Sequence, residues 1–141
     1  MSVEENERVI DRADEAFNAQ EWDRYFELFA ESVVWHSPSP EPLKGRAALR
    51  EAFEGFVAAF PDTRIKKERS FGQGDWVCRE YTFAGTHTGP LKGPDGETIP
   101  ATNKPVRLQG CGVYKVEGGE ITETRDYFDQ LGFMAQLGLA P

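Results

Sequence analysis

The sequence predicts an α+β domain in which helices cover one face of a mostly antiparallel sheet. Two observations carry this. Apolar residues recur at helical spacing through roughly the first sixty positions, and period-two alternation dominates from there onward. Glycine pairs and prolines mark the joints between segments.

Val9, Ile10, Ala13 and Phe17 define a first helix over about Val3 to Ala19. Trp22, Tyr25, Phe26 and Phe29 define a second, short one, joined to the first through Asn18-Ala19-Gln20. Ser32 to His36 is a β-type run closed by Pro38, Pro40 and Pro42. Gly45-Arg46 opens a third helix with Leu49, Phe53, Phe56, Val57 and Phe60 on one face, and Pro61 ends it. Four extended segments follow, at about Thr63 to Ser70, Asp75 to Thr88, Lys104 to Val116 and Glu120 to Asp129. Gly72-Gln73-Gly74 and Gly118-Gly119 read as hairpin turns, Thr88 to Lys104 as a long loop, and the chain closes in a short helix that Asp129 caps.

A length of 141 residues is about one domain, taken as 1–141, and large enough to bury roughly two thirds of its unfolded surface. Sixteen Lys and Arg against 24 Asp and Glu give a net charge of −8, which argues against nucleic acid or anionic lipid as a partner. The acidic, amphipathic N-terminus does not read as a signal peptide, and no segment is apolar enough to span a bilayer, so the expected location is cytoplasmic with no membrane contact. Cys78 and Cys111 lack metal-ligand spacing and read as reduced, buried thiols; no metal site is expected.

Chemistry concentrates in the last strand. Thr122, Thr124, Asp126 and Phe128 share one face by alternation, while Glu123, Arg125 and Tyr127 share the other. A curved sheet against three helices encloses a hollow lined by aromatics, where a ligand would lie. A carboxylate there loses solvation and becomes a stronger base near neutral pH. Asp126 is therefore the candidate base. Enolate chemistry also needs a hydrogen-bond donor at the developing oxyanion: His87 is the first candidate, with His36, Tyr81 and Tyr114 as further ones. Trp35, Phe53 and Phe128 complete the expected substrate-contacting set, alongside His36, Tyr81 and Tyr114. The simpler readings are that Asp126 pairs with Arg125 at the surface and that His87 ties down the adjoining loop.

The helical hairpin, VVWHSP, GRAALREAFEGFVAAFPD, DWVCREYTFAGTHTG and GEITETRDYFDQLGFMAQLG, in that order, resemble the SnoaL-like polyketide cyclases of the nuclear transport factor two-like superfamily. The resemblance covers essentially the whole chain. It implies a cone-shaped α+β barrel, often a homodimer through its sheet, with a deep pocket for an apolar small molecule and neither metal nor organic cofactor. It further implies that an aspartate on the last long strand, here Asp126, removes an acidic proton from a polyketide ester and starts an aldol ring closure. The family histidine on the preceding strand matches Gly112, which would remove a partner for the substrate oxygen and enlarge the pocket. The asparagine that some members carry after the second helix is replaced by Trp35 or His36. Three function classes follow: a cofactor-independent enzyme of proton abstraction, a non-catalytic binding module for an apolar ligand, and a dimeric structural protein.

Overall fold

Ser2 starts the first helix by accepting a hydrogen bond from the Glu5 amide at 3.1 Å, and Glu4 and Glu5 suit the positive end of the helix dipole. That helix, α1 (Val3–Asn18), buries Asn6, Val9, Ile10, Ala13, Ala16 and Phe17 along one stripe. Gln20, at a φ of 56°, turns the chain into α2 (Trp22–Glu27). β1 (Phe29–His36) and β2 (Leu43–Lys44) precede α3 (Arg46–Ala59). The strand half comprises β3 (Arg64–Gln73), β4 (Trp76–Thr86), β5 (Leu91–Lys92), β6 (Thr98–Ile99), β7 (Pro105–Glu117) and β8 (Glu120–Phe128), and α4 (Gln130–Gln136) closes the chain. Asp129 caps α4, its carboxylate accepting from the Gly132 amide at 2.8 Å. This computed structural model describes residues 2–93 and 95–139, so the outermost positions of the expected 1–141 domain lie outside the described residues.

Six strands form one sheet in the order β2-β1-β8-β7-β4-β3. All its pairings are antiparallel except β1 with β8, which is parallel. Register shifts in the β1–β8, β3–β4 and β7–β8 pairings supply the bulges that bend such a sheet. The expected α+β class with a curved, mostly antiparallel sheet is what the chain forms. β2 and β3 stand at opposite ends of the order and do not pair, so the sheet is open. Helix α1 lies on β3 and β4, α3 on β1, and α4 on β7.

Three details differ from the sequence expectation. The β3–β4 turn sits at Gly74-Asp75, one step beyond the glycine pair's centre, because Gly74 alone takes the left-handed φ of 59°. The Thr88–Asn103 loop contains the β5–β6 hairpin and is tied to α3 through the Thr88 and Gly89 amides, which both donate to the Ala59 carbonyl; its Pro94 lies outside the described residues. Cys78 and Cys111 are half-buried rather than buried, with their sulfurs 3.4 Å apart across β4 and β7. Among the described residues no helix is long and apolar enough to cross a membrane.

Edge strand β3 is fixed to α1 by one side chain. Asn18 donates to the Ile65 carbonyl at 2.7 Å and accepts from the Ile65 amide at 2.8 Å, satisfying both backbone groups at a sheet edge. Asn18→Ala leaves both unpaired in a partly buried place. It is expected to lower unfolding free energy by about 1–3 kcal/mol, read by urea denaturation.

Candidate functional site

Alternation along β4 turns Val77, Arg79, Tyr81 and Phe83 toward the helices, and Val77, Tyr81 and Phe83 are buried as that face requires. Arg79 is buried with them, at 6 % exposure. On β7 the same face presents Val106, Leu108, Gly110, Gly112 and Tyr114. On β8 it presents Thr124, Asp126 and Phe128, paired with Tyr114, Gly112 and Gly110 respectively. Arg79, Gly112 and Asp126 thus form one row across three strands. Thr122 leaves the shared face expected for it. The register shift next to Val116 turns Ile121 inward instead, and Thr122 bonds the Glu117 carboxylate at 2.9 Å.

The two glycines shape what fills this row. A Cβ on Gly110 would lie 2.4 Å from the Tyr81 hydroxyl, and one on Gly112 would lie 2.2 Å from the Tyr114 hydroxyl. Each phenol therefore lies against a stretch of β7 that only glycine leaves bare. The expectation that Gly112 enlarges the pocket is corrected: the Tyr114 ring takes the space that a larger side chain would use.

Polar contacts join these groups into two linked sets. Tyr81 donates its hydroxyl to Asp126 Oδ1 at 2.6 Å. Arg79 donates from Nη1 to Asp14 of α1 and from Nη2 to the Tyr114 hydroxyl at 2.5 Å. Its guanidinium also lies over the Tyr81 and Tyr114 rings, 4.9 and 5.1 Å from their centres. Asp126 is half-buried: burial raises its pKa, while the Tyr81 hydrogen bond and the Arg79 charge pull the other way. Burial likewise raises Asp14 against the pull of Arg79. Tyr81 and Tyr114 are both pushed above the usual phenol range, chiefly by burial, and hold their protons at neutral pH. For Arg79, burial works against the charge, but the oxygens of Tyr114 and Asp14 outweigh it and the group stays cationic.

The other residues singled out from the sequence fall elsewhere. His87 is fully buried, stacked on Phe60 at 5.3 Å, and its Nδ1 accepts from the Thr102 amide at 3.2 Å. At strand rise, the step along β4 from Arg79 to His87 spans roughly 25 Å, so the structure does not bring His87 to Asp126. His36 pairs with Arg125 on the opposite face of the sheet, with Nε2 3.6 Å from the Glu123 carboxylate. Trp35 pairs with Thr124 on the inner face and packs on Phe53 at 5.3 Å. Phe128 sits next along β8 on the Asp126 face, its ring 6.4 Å from Phe133. Arg79 and Asp14 escaped the sequence reading, although Arg79 interrupts the apolar Val77–Phe83 face and Asp14 adjoins the Ile10–Phe17 stripe. Among the described residues no cluster of three or more His, Cys, Asp or Glu could hold a metal ion.

Two concavities among the described residues bear on where a ligand could lie. One of about 290 Å³ lies between α2 and α3, lined by Trp22, Phe26, Phe53, Glu54, Val57 and Ala58. The other, about 520 Å³, opens where α4 meets β3, β4 and β7. Asp126 lines neither, and behind the groove between the helices Phe53 packs on Trp35 and Tyr25, which lie between it and the Asp126 row.

The packing over Gly112 can be tested directly. Gly112→Ala drives a methyl group into the Tyr114 hydroxyl and is expected to destabilise the fold by about 1–3 kcal/mol in the same denaturation measurement.

Comparison with known proteins fits this architecture. The family model described as SnoaL-like polyketide cyclase matches residues 7–137. Aklanonic acid methyl ester cyclase DnrD of Streptomyces peucetius is 26 % identical over 136 residues, covering 92 % of this chain and 88 % of that protein. The solved structure of a candidate SnoaL-like polyketide cyclase from Jannaschia sp. CCS1 superposes with a TM-score of 0.86 at 21 % identity, covering 99 % of this chain and 95 % of the other. That of IdmH, a candidate polyketide cyclase from Streptomyces antibioticus, gives 0.79 at 25 % identity over 94 % and 98 %. With the family model spanning nearly its whole length, this chain belongs to the SnoaL-like polyketide cyclase family.

Proposed function

We propose that this protein is a cofactor-independent enzyme that removes a proton α to a carbonyl of an apolar, polyketide-like molecule, with Asp126 as the base. The single observation that carries this reading is the half-buried Asp126 carboxylate on the helix-facing side of the sheet, held by the Tyr81 hydroxyl at 2.6 Å. Its Oδ1 is occupied by the phenol, which leaves Oδ2 to meet the substrate. Burial raises its basicity, the Tyr81 hydrogen bond and the Arg79 charge offset part of that rise, and Tyr81 fixes its direction. The resulting carbon nucleophile would close a ring on a second carbonyl of the same molecule. The proton taken by Asp126 would then return to the new alkoxide. The sequence similarity to DnrD, an aklanonic acid methyl ester cyclase, supports a polyketide-like ester as substrate class. The groove at Trp22, Phe26 and Phe53 is the proposed entrance, opened by movement of the Phe53 and Trp35 rings.

A second reading, a binding module that holds an apolar ligand unchanged, is favoured by one observation: neither concavity is lined by Asp126. Exchange chemistry separates the two. Wild-type protein is expected to speed deuterium incorporation at C1 of 2-tetralone, and Asp126→Asn to slow it by about 10²–10⁴-fold. Ligand-induced thermal stabilisation without any accelerated exchange would leave only the binding module.

Stability should move opposite to activity. Between the ordinary carboxyl pKa of about 3.9 and the raised folded value, the native state holds a proton that the unfolded chain has released. Native stability from this group therefore falls as pH rises through that interval. Asp126→Asn is expected to melt at the same temperature as wild type or higher at pH 7, and the difference should shrink toward pH 4.

The outward sheet face supports the proposed homodimer. Phe71 and Tyr127, 61 % and 57 % exposed, end a strip that runs through Cys78, Cys111 and Val113, and Arg69, Glu80, Glu123 and Arg125 bracket it with both signs of charge. Such a strip suits a self-complementary contact. Sedimentation analysis is expected to give a dimer for wild type and a monomer for Phe71→Glu with Tyr127→Glu.

A further inference from the structure

We propose that Tyr114 is the hydrogen-bond donor that stabilises the enolate oxygen, and that the Asp14–Arg79 pair is the positioning device that aims and polarises it. This rests on the reading of Asp126 as base and adds the missing electrophilic half of the site.

The choice among donors follows from where each proton is already committed. The Tyr81 proton is given to Asp126 at 2.6 Å, and His87 is held far along β4, against Phe60 and Thr102. Tyr114 differs. Its oxygen accepts from Arg79 Nη2 at 2.5 Å, so one lone pair is occupied, while among the described residues no acceptor takes its own proton. A phenol that accepts from a cation is a better donor, because the cation draws density from the O–H bond. Burial keeps that proton in place at neutral pH.

Geometry puts this donor beside the base. The Tyr114 hydroxyl lies over Gly112, within 2.2 Å of where a Cβ would stand, and Gly112 is paired directly with Asp126 on β8. The position that the family resemblance gives to a histidine is thus filled in space by a phenol reaching back along the same strand.

Arg79 cannot act unless it is itself held. Asp14 on α1 takes Nη1, the Tyr81 and Tyr114 rings lie beneath the guanidinium, and the buried Nε has no partner among the described residues. The cation is therefore fixed by helix, strand and ring together. In the proposed step the Asp126 carboxylate takes the α-proton and becomes the neutral acid. The C–H pair becomes the C=C bond, and the carbonyl π pair moves onto oxygen, which accepts from Tyr114. Tyr114 and Arg79 keep their protons throughout, so the step balances with no other reactant.

Tyr114→Phe keeps the ring over Gly112 and removes only the hydroxyl. Exchange at C1 of 2-tetralone is expected to fall by about 10²–10³-fold, in kcat rather than KM, with the pH midpoint of the rate still set by Asp126. Replacing the ion pair by neutral residues of similar shape, Asp14→Leu with Arg79→Met, avoids stranding a buried charge. It should give a comparable loss that is not added to when combined with Tyr114→Phe. Binding of 2-naphthol, a stable mimic of the enol, provides a readout that needs no turnover. It is expected to bind Asp126→Asn and to lose at least tenfold in affinity when Tyr114→Phe is added. Equal naphthol affinity with and without the Tyr114 hydroxyl, no naphthol binding to any variant, or wild-type exchange in Tyr114→Phe would each overturn the assignment. Unchanged exchange in Asp126→Asn would instead remove the base.

Discussion

A guanidinium in the middle of aromatic rings is stable only when its charge is answered from nearby, and Arg79 organises the interior on that condition. Its charge meets Asp14 from α1, the Tyr114 oxygen from β7 and two ring faces. Removing one partner of such a buried pair leaves an uncompensated charge and costs about 3–5 kcal/mol, a large share of a small domain's net stability. Four positions are consequently bound together. The rings of Tyr81 and Tyr114 can lie under the cation only because Gly110 and Gly112 give them bare backbone to rest on. Asp126, in the same row as Arg79 and Gly112, inherits its orientation from Tyr81 and part of its electrostatic setting from Arg79.

What the sequence discloses and what it hides divide along a physical line. Features set by local periodicity are legible: the Val9–Phe17 stripe, the inward aspect of Thr124, Asp126 and Phe128, and the Asp129 cap all follow from spacing within a few residues. Alternation fails at Thr122, where a register shift beside Val116 inserts a residue and flips the face. Features set by position along a strand are not legible. His87 and Asp126 both belong to the strand half, yet only the pairing of β4, β7 and β8 shows that Arg79, not His87, shares the row of Asp126. His36 was misplaced for the same reason, since the parallel β1–β8 register puts it with Arg125.

Arg79 and Asp14 were visible but looked like errors in the pattern. Each is a charged residue on or beside an otherwise apolar face, and local reasoning discounts such a residue as an interruption. Natural chains break their own local rules where a site demands it, so an arginine between Val77 and Tyr81 is better treated as a signal than as noise. The two interruptions lie 65 positions apart, and only the folded chain shows that they neutralise each other.

Gly112 illustrates why residue-by-residue transfer within a family has limits. By the resemblance alone, position 112 would carry an imidazole; measured in space, the Tyr114 hydroxyl stands where that side chain would begin. The exchange also changes the chemistry available. An imidazole can itself take up and release a proton near neutrality, whereas a buried phenol whose pKa is raised can only donate a hydrogen bond. In the proposed step, proton traffic falls to Asp126 alone. With Asp14 and Asp126 ionised, the cluster carries one net negative charge before the step and, counting the enolate, one after it. The charge only moves, from a carboxylate to an oxygen that faces a phenol backed by Arg79. A cation fixed before the reaction need not reorganise when that charge arrives, and the stabilisation is available at the moment of transfer.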